Sequence, residues 1–248
     1  MYKKKEENPL VENIIHSFIL KVSKNKILRL LLYFTFGFAI LNLIAIYTNT
    51  YLNDFPFREL FFEYFHVDNE TSFPTFYSVY SLQACSLLLA IIAYITNKNE
   101  GKFVKHWKFL AYIFLFLSFD EALSFHEKIA GPLRKTFDLT GYFYFAWVIP
   151  ALFLLIVFFI VYLKFILHLP KKISKLFLLS GTLYIFGALI MEILGGKVKS
   201  AIAFGNTDLA YLLMVSIEEF FEMLGIAIFI YALLSCLQLK LIQRFAPK

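Results

Sequence analysis

The sequence predicts an all-α membrane protein, a bundle of six transmembrane helices, on three observations. Of its 248 residues, 60% are hydrophobic, 19% aromatic and only 17% charged, and the mean hydropathy is +0.69, far from the composition of soluble domains. Six apolar stretches, roughly 27 to 50, 74 to 95, 107 to 127, 143 to 167, 176 to 195 and 209 to 237, are long enough for a hydrocarbon core of about 30 Å, which takes about 20 helical residues. The connections are short and contain no low-complexity linker, so one membrane bundle over residues 27 to 237 accounts for the chain, with 1 to 26 and 238 to 248 on its cytoplasmic side.

The elements follow in order. Asn8-Pro9 pairs an N-cap with a first-turn proline. After it Val11, Ile14, Ile15, Phe18, Ile19 and Val22 recur at helical spacing opposite Glu12, Asn13, Ser17 and Lys21. That pattern predicts an amphipathic helix on the cytoplasmic membrane surface. The first apolar stretch is too long for a signal peptide and no small-residue cleavage site follows it, so it reads as a retained anchor. Between spans one and two, FPFRELFFEYF sets Phe57, Leu60, Phe61, Tyr64 and Phe65 against Arg58, Glu59, Glu63 and His66. This loop helix is expected to lie over the outer mouth of the bundle, with His66 solvated. Cys85 and Cys236 each sit inside an apolar run, which offers neither a disulfide framework nor a zinc site.

Charge sets the expected orientation. Of 24 Lys and Arg residues, all but Arg58, Lys128, Arg134, Lys135, Lys197 and Lys199 fall on the side of the amino terminus. The excess puts both termini in the cytoplasm. The net charge of +6 comes from short clusters between apolar runs, not from one basic face, and excludes a nucleic-acid partner. The partner that the composition does imply is the lipid bilayer; it says nothing of the oligomeric state.

Against this apolar background the acids stand out. FLSFDEALSFHEK, residues 116 to 128, places Asp120, Glu121, His126 and Glu127 where the third span should continue. At about 1.5 Å per residue Asp120 lies about 20 Å in from the cytoplasmic start, about 10 Å below the outer surface. Glu218 in the sixth span lies about 14 Å down from the outer start. Glu192 sits nearer the outer boundary, Glu222 one turn deeper, and His126 with Glu127 at the rim. On an unbroken helix Asp120 and Glu127 point within about 20° of each other while His126 projects from another side. Glu218 and Glu222 share a face, flanked by Glu219. The expected result is a ladder of acids on three helices through the outer half.

Each ionisable group inside a membrane costs roughly 2.5 to 3.5 kcal/mol on insertion scales. No Lys or Arg lies at that depth to pair with these acids, so the compensating charge is expected to be protons or a bound cation. The plainer alternative is that protonated acids bond Ser118, Ser124, Ser216 or Tyr211 and hold helices together. For a metal, the set lacks the His-rich ligands of catalytic zinc and the Glu-x-x-His pairs of di-iron bundles. An oxygen-rich site with at most one His suits Mn, Mg or Ca better than Zn. No Ser-His-Asp, nucleophile-elbow or P-loop pattern is present.

Ser118-Phe-Asp-Glu in the third span recurs as Ser216-Ile-Glu-Glu in the sixth. The two spans run in opposite directions, as in a weak 3+3 inverted repeat. Several further pieces carry a family resemblance: Phe73-Pro74-Thr75-Phe76-Tyr77-Ser78, Leu117 to Ala122 with His126-Glu127, Phe145-Ala146-Trp147, Gly187-Ala188 with Glu192, and Glu218-Glu219 with Glu222 to Gly225. In the order and spacing of these pieces, Asp-Glu-x4-His-Glu and then Glu-Glu-x2-Glu, the chain resembles a group of uncharacterised bacterial multi-pass membrane proteins. The resemblance implies six spans in a bacterial cytoplasmic membrane and brings no activity with it. The expected site is therefore Asp120, Glu121, Glu192, Glu218, Glu219 and Glu222, with His126 and Glu127 at its entrance. Transport or relay of a proton or small cation is the first expected function. A metal-dependent enzyme acting on a lipid-like or apolar substrate is the second, and a structural subunit of a membrane complex the third.

Overall fold

The computed structural model describes residues 23–52, 55–202 and 209–245. The predicted amphipathic helix before residue 23 lies outside the described residues. Ten helical elements follow in order: α1 (Lys24–Tyr51), α2 (Arg58–Phe65), α3 (Phe73–Lys98), α4 (Val104–Leu123), α5 (Phe125–Phe137), a 3-10 turn (Gly141–Phe143), α6 (Val148–His168), α7 (Lys171–Ile185), α8 (Glu192–Ala201) and α9 (Leu209–Phe245). A π-helical segment, Phe186–Met191, joins α7 to α8. Together they form one apolar helix from Lys171 to Ala201. Among the described residues five helices are long and apolar enough to cross a membrane, or six when the bent pair α4 and α5 is taken as one span. The protein is an all-α integral membrane bundle.

Local chemistry sets the helix starts. The Ser23 hydroxyl accepts from the Lys26 N–H and opens α1. Ser72 does the same for Thr75, with Pro74 in the first turn of α3, where its missing N–H has no helical partner to lose. α9, 37 residues long and so about 55 Å end to end, is the most buried of the spans. It packs against α7, α1, α3 and the π segment, while α3 packs against α4. Polar bonds tie the spans together: Ser86 Oγ to the Ala111 carbonyl at 2.8 Å, Tyr77 Oη to the Leu31 carbonyl at 3.0 Å, and Asn42 Nδ2 to Ser216 Oγ at 2.7 Å. α6 turns most of its surface outward and is held through Tyr162, whose hydroxyl donates to the His106 carbonyl at 3.0 Å.

The apolar core is uneven along the bundle axis. Leu89, Ile92, Trp107, Phe165, Phe177 and Leu233 centre the large cluster at the end shared by the start of α1 and the end of α9. The opposite half has, among the described residues, only a small cluster of Val67, Tyr211 and Val215. That half contains the acids.

Two expectations change. The third span does not run straight to residue 127: Ser124 adopts a left-handed conformation, φ 46° and ψ 48°, and α5 leaves α4 at 75°. The fifth span extends well past residue 195 and carries the π segment in its middle. The loop helix predicted in 53 to 73 is α2, which packs on α1. Ser118 and Ser216 have unlike partners, the Val79 carbonyl in α3 and Asn42 in α1, so the internal echo is not repeated in their bonding.

Candidate functional site

The break at Ser124 builds the first part of the site. Because α5 turns back, the His126 backbone N–H donates to Asp120 Oδ1 at 3.0 Å and its ring Nδ1 lies 2.9 Å from Asp120 Oδ2. Asp120 thus satisfies a first-turn N–H of α5 that a helix start leaves without a partner. On a straight helix His126 would point away from Asp120, and Asp120 and Glu127 would share a face. The kink reverses both relations, leaving Glu127 exposed at the rim. Asp120 and His126 are mostly enclosed, with side-chain exposures of 17% and 28%.

From His126 the arrangement continues through Trp147. Their ring centroids are 4.7 Å apart, and the indole Nε1–H donates to Glu192 Oε1 at 2.7 Å. Glu192, 8% exposed, also has the Glu218 carboxyl of α9 as a near neighbour. Two neighbouring carboxyl groups can share a hydrogen bond when one of them keeps a proton. Glu222, one turn further along α9, has Tyr184 of α7 as a near neighbour. Glu121 on α4 lies close enough to Glu219 and Glu222 to interact electrostatically with both. Glu121, Glu218, Glu219 and Glu222 are all half-buried.

The π segment sets the register of the second part. Each π turn inserts one residue into a helix and is frequent at functional sites. Here it ends at Met191, one residue before Glu192. Gly187 within it lies against α9: an added Cβ would stand 2.6 Å from the Glu218 carbonyl oxygen and 2.9 Å from Glu222 Cγ. Only a glycine lets the two helices come this close.

All eight predicted residues therefore lie in the half opposite the large apolar core. Asp120 pairs with His126, Glu192 with Glu218, and Glu121 neighbours Glu219 and Glu222, while Glu127 stays at the mouth. Among the described residues no group of three or more His, Cys, Asp or Glu is drawn together tightly enough to hold a metal ion. The serines expected as partners bond elsewhere: Ser118 donates to the Val79 carbonyl and Ser216 to the Leu212 carbonyl. The basic residues at this end meet aromatic rings, with Lys199 Nζ 4.3 Å from the Tyr211 centroid and the Arg134 guanidinium 3.9 Å from that of Tyr144.

Four residues escaped the sequence reading of the site. Trp147 stood out only in the family resemblance, since a tryptophan near a span end reads as a membrane-interface side chain. Tyr184 was indistinguishable from packing aromatics. Asn42 did carry a signal, a lone amide inside Leu41-Asn42-Leu43. Its Oδ1 accepts from the Val67 N–H at 3.2 Å and fixes the loop above the site. His66 in that loop is buried, not solvated: it is 3% exposed, stacked on Phe62 at 4.4 Å, and its Nε2 has no hydrogen-bond partner among the described residues. Burial pushes its imidazole below the usual histidine range, with nearby Asp68 opposing.

The family model for a domain of unknown function, DUF8692, matches residues 31–237. No curated protein and no solved structure matches the chain.

Proposed function

We propose that this protein, which belongs to the DUF8692 family, relays protons across a bacterial cytoplasmic membrane, with its enclosed acids as the route through the outer half. The observation that carries this reading is the connection of Trp147, Glu192 and Glu218 across three elements. Two carboxyl groups this close inside a membrane bundle, with the His126 ring already paired to Asp120, limit their joint charge by keeping a proton between them. Such a pair can take up a proton on one side and give it up on the other.

The residues take distinct roles in this reading. Asp120 and His126 load the chain at the rim, with Glu127 outermost. Glu192 and Glu218 pass the proton to the level of Glu222, Glu219 and Glu121, where the Tyr184 hydroxyl is the next group able to exchange one. Trp147 donates only; it holds Glu192 in place. Intramembrane ionisable groups are expensive and mark ion or proton pathways by default, and six acids on three helices exceed what a hydrogen-bonded bundle needs. With both termini in the cytoplasm, the loading end faces outward.

Reconstituted protein carrying a pH-sensitive dye inside the vesicles tests this. Under an imposed membrane potential, wild-type vesicles should change internal pH faster than empty ones, and Glu218→Gln should remove the difference while thermal unfolding in detergent stays intact. Equal rates in wild-type and empty vesicles would refute the relay. Elemental analysis of the same preparation addresses the alternative occupant: stoichiometric Mn, Mg or Ca, lost in Asp120→Asn and Glu218→Gln, would favour the metal-dependent enzyme instead.

A further inference from the structure

A second concavity lies at the other end of the bundle, about 280 Å³ in volume, lined among others by Lys102, Phe103, Trp107, His168, Ile173 and Lys240. It is formed by the α3–α4 turn, the α6–α7 turn and the end of α9. Its lining includes three basic side chains and no Asp or Glu. Lys240 Nζ stands 5.8 Å over the Trp107 ring, and the His168 ring is 5.1 Å from that of Phe103. Both side chains therefore rest on aromatic walls and not on carboxylates.

Two helices also begin at this cavity. α4 starts after Phe103 and α7 after Pro170; neither has a side-chain cap nor an acid in its first turn. Phe103 and Pro170 themselves line the cavity, so the uncapped N–H groups of two long helices flank it, each with the partial positive charge of a helix start. Trp107 is 1% exposed and forms an aromatic wall of the same cavity. Two lysines and two helix starts around a cavity with no acid in its lining ask for an anion with several acceptor oxygens.

We infer that this cavity binds a phosphate ester, with Lys102 and Lys240 pairing its oxygens, the α4 and α7 starts contributing backbone donors, and Phe103, Phe165 and Ile173 covering its carbon part. Small-molecule sites usually measure about 300 to 1,000 Å³, so the space suits a headgroup and not a whole lipid. The phosphate belongs either to an anionic phospholipid of the leaflet at this end or to a free phosphorylated metabolite. This site is separate from the outer acids, and its occupancy does not depend on proton relay.

The test is thermal unfolding of the full chain in a neutral detergent, titrated with phosphatidylglycerol, phosphatidylcholine, glycerol 3-phosphate and inorganic phosphate. Lys102→Gln with Lys240→Gln is compared with Lys164→Gln and Lys175→Gln, which remove equal charge outside the cavity. Stabilisation by phosphatidylglycerol whose half-saturation rises about tenfold or more in the cavity pair only would identify a lipid headgroup. The same pattern with glycerol 3-phosphate or inorganic phosphate would identify a free phosphate ester. Should the cavity pair not fold, Lys102→Gln alone, at an exposed position, carries the same comparison with a smaller shift. Identical responses of wild type and cavity variants to every probe, or an equal loss in the control pair, would overturn the site.

Discussion

Ser124 decides whether Asp120 and His126 meet. A non-glycine residue in the left-handed region is strained by about 1 to 2 kcal/mol, and at φ 46° Ser124 bears that strain to turn α5 back onto α4. Ser124→Gly should relieve it and raise the unfolding temperature or leave it unchanged. Ser124→Val, with a β-branched side chain that the left-handed region excludes, should lower it, and both outcomes are read by thermal unfolding in detergent. His66 makes a second prediction. Its imidazole is held neutral by burial while the unfolded chain binds a proton near pH 6.5. Below that pH the unfolded state therefore gains protons that the folded state does not, and stability falls until the lowered folded pKa is passed. His66→Phe, which keeps the stack on Phe62, should flatten this part of the stability–pH curve relative to wild type; an unchanged slope between pH 7 and 5.5 would remove His66 from the account.

The helices show what hydropathy can and cannot encode. Each span was legible because about 20 apolar residues have few soluble alternatives, and the short connections confine them to one bundle. The break at Ser124 was not legible: no Gly or Pro marks it, and Ala122 and Leu123 carry the apolar pattern past the two acids up to it. Regular helix geometry therefore paired Asp120 with Glu127, where the kink pairs it with His126. The π segment is equally silent in sequence, although Gly187 and Gly225 hint at close helix approach. At Gly225 an added Cβ would stand 2.8 Å from the Tyr184 backbone N and 2.9 Å from the Ser180 carbonyl oxygen. Backbone atoms cannot step aside, so Gly225→Ala should separate α7 from α9 and cost about 1 to 3 kcal/mol of stability. Gly181→Ala, which meets nothing within 4 Å, is the matched control in the same unfolding assay.

Across the whole molecule, apolar packing and ionisable chemistry are segregated by depth. The large core lies at the end where α1 begins, while the opposite half gives up apolar packing to place acids on α4, α8 and α9 within reach of one another. The acidic residues of the site were visible as charge in an apolar run; their pairings were not, because they depend on a kink, a π turn and an aromatic bridge that no spacing rule contains. The central claim is that Glu192 and Glu218 act as one step of a proton route. The most direct test is proton flux in proteoliposomes for wild type, Glu192→Gln, Glu218→Gln and the double variant. Residues acting as a unit lose function non-additively, so each single variant should lose about tenfold or more and the double variant should fall no further. Losses that multiply in the double variant, or single variants with wild-type flux, would contradict it.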